Sequence, residues 1–121
     1  MDINQMINRL KKNPGAPKIG MIATHLGIVR GTSRNGGKVT GIEVSYDYDS
    51  IASIIRNIKA MPGIIEVLVE TNEGRLDIGD EILAVAVAGD IRENVFQALM
   101  QAVNRIKAEA STKKEFFISK D

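Results

Sequence analysis

The segment VAGDIRENVF, residues 87–96, places Arg92 where an anion-binding side chain would be useful. The apolar run before it predicts a strand, and Asp90 marks the predicted start of a helix. The first turn of a helix presents unpaired N–H groups and a partial positive charge, so an arginine there gains most when an anion binds beside it. The alternative is that Asp90 and Glu93 offset the charge of Arg92, which would then be an ordinary solvated side chain.

Further basic side chains have the same two interpretations. Arg30 ends the first long apolar stretch, Lys107 falls in the last turn of the helix that begins near Arg92, and Lys113 and Lys114 lie in the C-terminal tail. Guanidinium and ammonium groups bind phosphate and carboxylate. Charged side chains at strand ends and termini are also common on solvated surfaces. The residue types therefore indicate anion binding without identifying the anion.

Other kinds of site have less support. His25, the single histidine, falls in the middle of a predicted strand with no obvious carboxylate partner, so a structural role is favoured over catalysis. The carboxylates between residues 66 and 80 are predicted to face solvent, and no pair of them has the context of an acid and a base. With no cysteine and one histidine, the chain offers neither a thiolate nor a histidine-rich metal site. We expect no metal and no resident cofactor.

The composition indicates a globular protein. The 121 residues are 44% hydrophobic and 4% aromatic, which predicts one domain over residues 1–121 with a core of aliphatic side chains. A net charge of +1 gives no indication of a nucleic-acid partner. No apolar run approaches the roughly 20 residues that a membrane-spanning helix needs, and the N-terminus lacks the apolar core of a signal peptide. We therefore expect a soluble, cytoplasmic protein with neither nucleic-acid nor membrane partners.

The hydrophobic periodicity predicts the elements that must position these side chains. Helices are predicted at residues 3–12, 49–63 and 90–110, and strands at residues 18–31, 39–46, 64–70 and 81–89. Asp2 is expected to cap the first helix, and Asp49 or Ser50 the second. Asp90 and Glu93 have the spacing of a capping box at the start of the third helix.

The order of these elements predicts an α+β fold with a mixed sheet and helices packed on one side of it. Residues 18–46 are expected to form a β-hairpin with a basic tip, because Asn35-Gly36 favours the positive φ angles of a tight turn. Residues 81–89 are almost continuously apolar, as expected of a buried strand. Phe116 and Phe117 indicate that the tail docks either on this domain or on a second copy.

Several of these segments together resemble one protein family. The segments GIVRG, GRLDIGD and GDIRENVF, then RIK with a second lysine seven residues later, occur in the same order in the large subunit of molybdopterin synthase. The resemblance covers about residues 18–117. It implies an α/β-hammerhead fold and a homodimer of large subunits. It also implies a small ubiquitin-like sulfur-carrier subunit docked at each end, which makes a heterotetramer.

The resemblance further implies an activity in molybdenum cofactor biosynthesis. The carrier inserts a C-terminal Gly-Gly thiocarboxylate, and its sulfur is transferred to cyclic pyranopterin monophosphate to form the dithiolene of molybdopterin. Arg30 matches the arginine of the family's G-x-V-R segment, and Arg92 that of its H-R-x-x-A-F motif. Lys107 and Lys114 match the two lysines around its P-[IF]-W-K tail. By this resemblance Lys107 and Lys114 are catalytic, while Arg30 and Arg92 bind substrate, Arg92 from the neighbouring subunit.

The chain departs from the family pattern at three places. Ile91 stands for the histidine of H-R-x-x-A-F, residues 71–74 read TNEG where the family has H-R-x-G, and residues 111–113 read STK where it has Pro-aromatic-Trp. Three hypotheses follow. The chain is a divergent catalytic large subunit, a non-catalytic member that binds a pterin or phosphate ligand or a carrier protein, or a structural dimer without a ligand.

Overall fold

The fold is organised around β5 (Glu81–Gly89), which lies between β1 (Met21–Ile28) and β3 (Ile64–Thr71) in an antiparallel sheet. A computed structural model describes residues 1–118 of the chain. Residues 83–88 are buried without interruption, although successive strand residues point to opposite faces. Both faces of this sheet are therefore covered, and the continuous apolar run that predicted a buried strand is explained.

The helices lie on both sides of this sheet, so the prediction that they pack on one side is wrong. α2 (Tyr48–Lys59) and α3 (Arg92–Arg105) pack against the odd-numbered residues Leu83, Val85 and Val87. α1 (Ile3–Lys11) packs against the alanines at 84, 86 and 88 on the other face. Large and small side chains therefore alternate along residues 83–88 (LAVAVA) because the two faces have different packing partners. The large side chains contact α2 and α3, and the alanines allow α1 to approach closely.

A second antiparallel sheet has the order β4-β2-β6, with β4 spanning Gly74–Asp77, β2 spanning Val39–Tyr46 and β6 spanning Ser111–Phe117. The α+β class is confirmed, but in place of one mixed sheet there are two antiparallel sheets. The hydrophobic periodicity does not predict β4, because four residues with one buried side chain give no periodic signal. The tail docks on this domain, as strand β6.

The predicted β1–β2 hairpin is wrong, because the two strands belong to different sheets. Alternation of apolar residues specifies which face of a strand is buried but not which strand lies beside it. Only the tip of the hairpin remains, where Thr32 bridges Lys38 and Gly36 has the predicted positive φ of 86°. Between the sheets, Val29 turns inward and joins a second core formed with the inner face of β2 and with β4.

The helix caps agree with the sequence in one case of three. Asp2 caps α1, with its carboxylate accepting from Gln5 N at 3.1 Å. α2 is capped by Asp47, not by Asp49 or Ser50, whose backbone N–H groups donate to it. The capping box predicted at α3 is also wrong. The cap residue is Ile91, whose hydrocarbon side chain cannot accept a hydrogen bond. The Asp90 carboxylate, one residue earlier, accepts from Ile91 N and Asn94 Nδ2 instead.

α3 continues into a π-helical turn, Ile106–Ala110, which leads directly into β6 without a loop. Ser111 Oγ donates to the Lys107 carbonyl oxygen at 3.1 Å, and Asp47 N donates to the Ala110 carbonyl oxygen at 2.8 Å. This turn is therefore fixed to both neighbouring elements, which defines the position of Lys107. Within residues 1–118, no helix has the length and apolar character to cross a bilayer.

The packing of α1 predicts the effect of truncating its buried side chains. Leu10 is 1% exposed against the alanine face of the sheet. Leu10→Ala should lower the free energy of unfolding by about 2–5 kcal/mol, because it leaves a cavity that alanines cannot fill. Arg9→Ala, on the exposed side of the same helix, should change it by less than about 0.5 kcal/mol. Urea denaturation measures both, and equal small effects would contradict burial of α1.

Candidate functional site

A cleft of about 730 Å³ opens between the two sheets. Its walls are the end of β1 with the connection that follows, the inner faces of β2 and β6, the start of β5, and the π-helical turn after α3. The second core forms the floor, since Val29, Ile42 and Val44 belong to both. The cleft exists because the chain leaves one sheet at the end of β1 and enters the other at β2.

The cleft carries a clear excess of positive charge. Arg30, Arg34, Lys107 and Lys113 line it, and the one carboxylate among the lining residues is that of Glu115. None of the four cations forms a salt bridge with any residue of the described part of the chain, residues 1–118. Cations gathered in a concave site without counter-charges raise the local concentration of anions. The arrangement suits an anionic ligand with more than one charged group.

The lysine that β6 directs into the cleft is Lys113. Cross-strand partners share a face, and Lys113 is paired with Val44, whose side chain belongs to the floor of the cleft. Lys114 is paired with Glu43 on the opposite face, where its Nζ lies 5.4 Å from the centre of the Phe116 ring. Lys107 and Arg30 therefore share the cleft with Lys113, while Lys114 is outside it. The sequence does not show that β6 pairs with β2. With that pairing known, the alternation of side chains along β6 identifies Lys113 as the lysine that faces the cleft.

Arg92 also lies outside the cleft. It occupies a shallow depression with Gly20, Met21 and Glu93, and its Nε is 3.6 Å from Glu93 Oε1. The Arg92 side chain is 78% exposed, and an exposed pair of this kind contributes little to stability. Within one chain, Arg92 therefore does not share a site with Arg30 and Lys107.

An apolar surface surrounds Arg92. Ile91, Phe96 and Met100 are 53%, 56% and 66% exposed, and Phe96 and Met100 share a face of α3 because they are four residues apart. Ile91 precedes the first residue of α3 as its cap residue and therefore lies outside the helical register. Adjacent exposed apolar side chains of this size are typical of surfaces that another molecule covers.

His25 is a cleft residue that the sequence did not indicate. It pairs with Val85, so its side chain points to the face of the sheet on which α3 lies. Its Nε2 is buried and has no hydrogen-bond partner among residues 1–118. Burial lowers the pKa of His25 below 6.5, and the nearby charge of Lys107 lowers it further. One feature of the sequence could have indicated His25. It is a polar residue at a strand position whose neighbour in the sheet, Val85, is a buried apolar residue.

The segment TNEG has structural roles in this chain. Asn72 Nδ2 donates to the Glu81 carbonyl oxygen at 3.0 Å, and the Glu73 carboxylate accepts from the Tyr48 hydroxyl. Burial, and after it the charge of Glu73, raises the pKa of Tyr46 to about 12. Tyr46 lines the cleft as a neutral phenol whose hydroxyl donates to the Ile82 carbonyl oxygen at 3.4 Å. These side chains hold the start of β5 and supply no cation.

Comparison with known proteins gives consistent matches. A family model described as MoaE protein matches residues 1–109. An uncharacterized protein of Methanocaldococcus jannaschii is 32% identical over 94 residues, which cover 74% of this chain and 79% of that protein. The molybdopterin biosynthesis MoaE protein of Burkholderia ambifaria has a similar structure, with a TM-score of 0.77, 25% identity, and coverage of 98% of this chain and 82% of that one.

Two further solved structures share the fold. The molybdopterin synthase of Staphylococcus aureus superposes with a TM-score of 0.79 at 23% identity, over 99% of this chain and 88% of that chain. A complex of subunits 1 and 2 of the molybdopterin-converting factor of Helicobacter pylori contains a chain that matches with a TM-score of 0.70 at 16% identity. It covers 97% of this chain and 80% of that chain.

The environment of His25 predicts a pH dependence of stability. Its pKa is lower in the folded protein than the 6.5 of an unfolded chain, so the unfolded state binds more protons below that pH. The free energy of unfolding should therefore be highest above pH 6.5 and fall as the pH drops from about 6.5 toward 5, before most carboxylates titrate. Denaturation of native protein and His25→Gln at pH 7.5 and 5.5 measures this. An equal loss in both would assign it to other groups.

Proposed function

This chain belongs to the MoaE protein family, and on that premise we propose that it is the large subunit of a molybdopterin synthase. In this role it takes part in molybdenum cofactor biosynthesis. It transfers sulfur from the thiocarboxylate of a small carrier subunit to cyclic pyranopterin monophosphate. The observation that supports this proposal is the cleft, which is lined by four cations and one carboxylate. None of these four cations forms a salt bridge with any of residues 1–118.

The anions of this reaction suit the cleft. The substrate has a phosphate and the carrier ends in a thiocarboxylate, so two negative groups must meet in one site. Arg30 presents a planar guanidinium that can bind two phosphate oxygens at once, whereas lysines act as compact charges. The volume, about 730 Å³, is in the range of sites that enclose small ligands.

Lys107 and Lys113 are the pair that we assign to the sulfur-transfer centre. The family resemblance gives the second position to Lys114, but the pairing of β6 with β2 directs Lys113 toward Lys107 and Arg30. Lysine side chains near an acyl carbon stabilise the negative charge that develops on its oxygen when the carbon is attacked. Lys114 lies instead beside the Phe116 ring on the outer face of the sheet.

The partners follow from the same family. The related Helicobacter pylori structure is a complex of subunits 1 and 2, which supports a small-subunit partner for this chain. A second copy of the chain would cover Ile91, Phe96 and Met100 and would bring Arg92 to the cleft of its neighbour. This arrangement reconciles the family role of Arg92 with its distance from Arg30 and Lys107 within one chain.

A non-catalytic member of the family is the second candidate. Ile91 can neither donate a hydrogen bond nor transfer a proton, and Asn72 and Glu73 are used in structural contacts. A chain with these replacements could still bind a phosphate ligand or a carrier tail through the cations of the cleft. Carrier binding and turnover must therefore be measured separately.

Turnover should depend on the lysine that faces the cleft and not on its neighbour. With thiocarboxylated carrier and cyclic pyranopterin monophosphate, Lys107→Ala and Lys113→Ala should each reduce product formation by about 10²-fold or more, as loss of a group that stabilises developing charge does. Lys114→Ala, adjacent in sequence and on the opposite face, is the matched control and should stay near the native rate. Product is measured as the fluorescent oxidation product of molybdopterin, and carrier binding by isothermal titration.

Each other outcome has a defined meaning. Carrier binding without product in the native protein would support the non-catalytic alternative. Neither product nor carrier binding would mean that the fold alone has been inherited. Loss of activity in Lys114→Ala with none in Lys113→Ala would show that the outer face of β6 carries the site.

Mixed dimers test whether Arg92 acts across the subunit interface. Lys107→Ala and Arg92→Ala should each be inactive alone. If a site combines Lys107 of one chain with Arg92 of the other, random reassociation of the two variants should restore about a quarter of native activity, since half of the dimers regain one intact site of two. No restoration, although the two variants exchange subunits, would show that Arg92 does not act in the cleft of the neighbouring subunit. Native activity of Arg92→Ala alone would place Arg92 outside the site.

A further inference from the structure

The imidazole of His25 occupies an unusual position at the cleft. It is the single histidine of the chain. It lines the same wall as Arg30, and its Nε2 is buried without a partner among residues 1–118. A side chain other than hydrogen at residue 27 would have its Cβ only 3.3 Å from this nitrogen. Gly27 therefore leaves space for the ring, and the buried nitrogen has no acceptor for a proton among residues 1–118.

The charges that face His25 come from every wall of the cleft. The connection after β1 contributes Arg30 and Arg34, the π-helical turn contributes Lys107, and β6 contributes Lys113 and Glu115. β2 contributes the neutral phenol of Tyr46, and β5 contributes the apolar side chains of Ile82 and Leu83. In the free protein, cations predominate around the ring, and no acceptor is available to Nε2. Both conditions disfavour the protonated form of the imidazole.

An anion in the cleft would reverse both effects. It would neutralise the surrounding cations, and one of its oxygens or its sulfur would accept a hydrogen bond from a protonated ring. We infer that His25 contacts the bound anion as an imidazolium, donating a hydrogen bond from its ring, so that anion binding takes up a proton from solvent. This inference deepens the proposed function, on which it rests, by naming a further binding residue.

The inferred contact also bears on the replacement at residue 91. Family members present an imidazole from the start of the third helix, where this chain has Ile91. His25 presents an imidazole to the cleft from β1 of its own chain. The chain would thus retain a hydrogen-bond donor of the same chemistry while taking it from its own subunit.

Proton uptake can be counted directly. Thiocarboxylated carrier is titrated calorimetrically into the full chain at pH 7 in buffers of different ionisation enthalpy, and the dependence of the heat on the buffer gives the number of protons. A second arm uses sulfate, which does not titrate near this pH and stands for the substrate phosphate. We expect a measurable uptake, of at most one proton per chain, for the native protein, and none for His25→Gln. The arm that shows uptake identifies which anion His25 contacts.

The single histidine gives an independent measurement on the unaltered protein. The ring proton resonances of His25, followed by NMR over pH 5–8, should titrate below pH 6.5 in the free chain and at higher pH with the anion bound. Affinity should increase as the pH falls between these two values, by at most about tenfold per pH unit. His25→Gln should bind with no such pH dependence.

The outcomes separate this inference from the proposed function. Binding and turnover with no proton uptake in either arm, or with unchanged uptake in His25→Gln, would overturn the inference and leave the function standing. If the native protein binds neither the carrier nor sulfate, both the inference and the proposed function are overturned. A His25 titration that does not move when the anion binds would overturn the inference even if His25→Gln fails to fold.

Discussion

The double-sided burial of β5 is the constraint on which the rest of the structure depends. A strand with two apolar faces must be covered twice, and this chain does so with unequal side chains. The larger side chains at residues 83, 85 and 87 meet α2 and α3, and the alanines at residues 84, 86 and 88 allow α1 to approach closely. β2 and β6 do not join this sheet and instead pair with each other in a second sheet. The cleft lies where the two layers separate.

The cleft is the place where the packing rules of the core are relaxed. The described residues include no fully buried charged or polar residue, and in the cleft four exposed cations and a partly buried imidazole face the same space. Like charges on neighbouring rigid elements repel one another when no anion is bound, and their exposure to solvent weakens this repulsion. The same rigidity means that a ligand with complementary charge needs little rearrangement of the protein. Stability and binding therefore make opposing demands on these side chains.

The sequence was sufficient for most elements and for the residue types of the site, but not for its geometry. Periodicity identified α1, β2, β5 and α3 because each has a strong apolar face. It could not pair the strands, since β1 and β2 would satisfy their alternation equally well in a hairpin or in separate sheets. That ambiguity hid the cleft itself. It also hid His25, whose side chain becomes interesting only when its position relative to Lys107 is known, and it left Lys113 and Lys114 indistinguishable.

The direct passage from the π-helical turn into β6 has a consequence for how this region can vary. A π-helical turn accommodates one more residue than the same stretch of α-helix, so an insertion or deletion there need not disturb either neighbour. In a strand, a shift of one residue exchanges the two faces. Because Lys113 and Lys114 are adjacent, either register presents an ammonium group to the cleft. The paired lysines make the site tolerant of a change in chain length that would abolish one built on a single lysine.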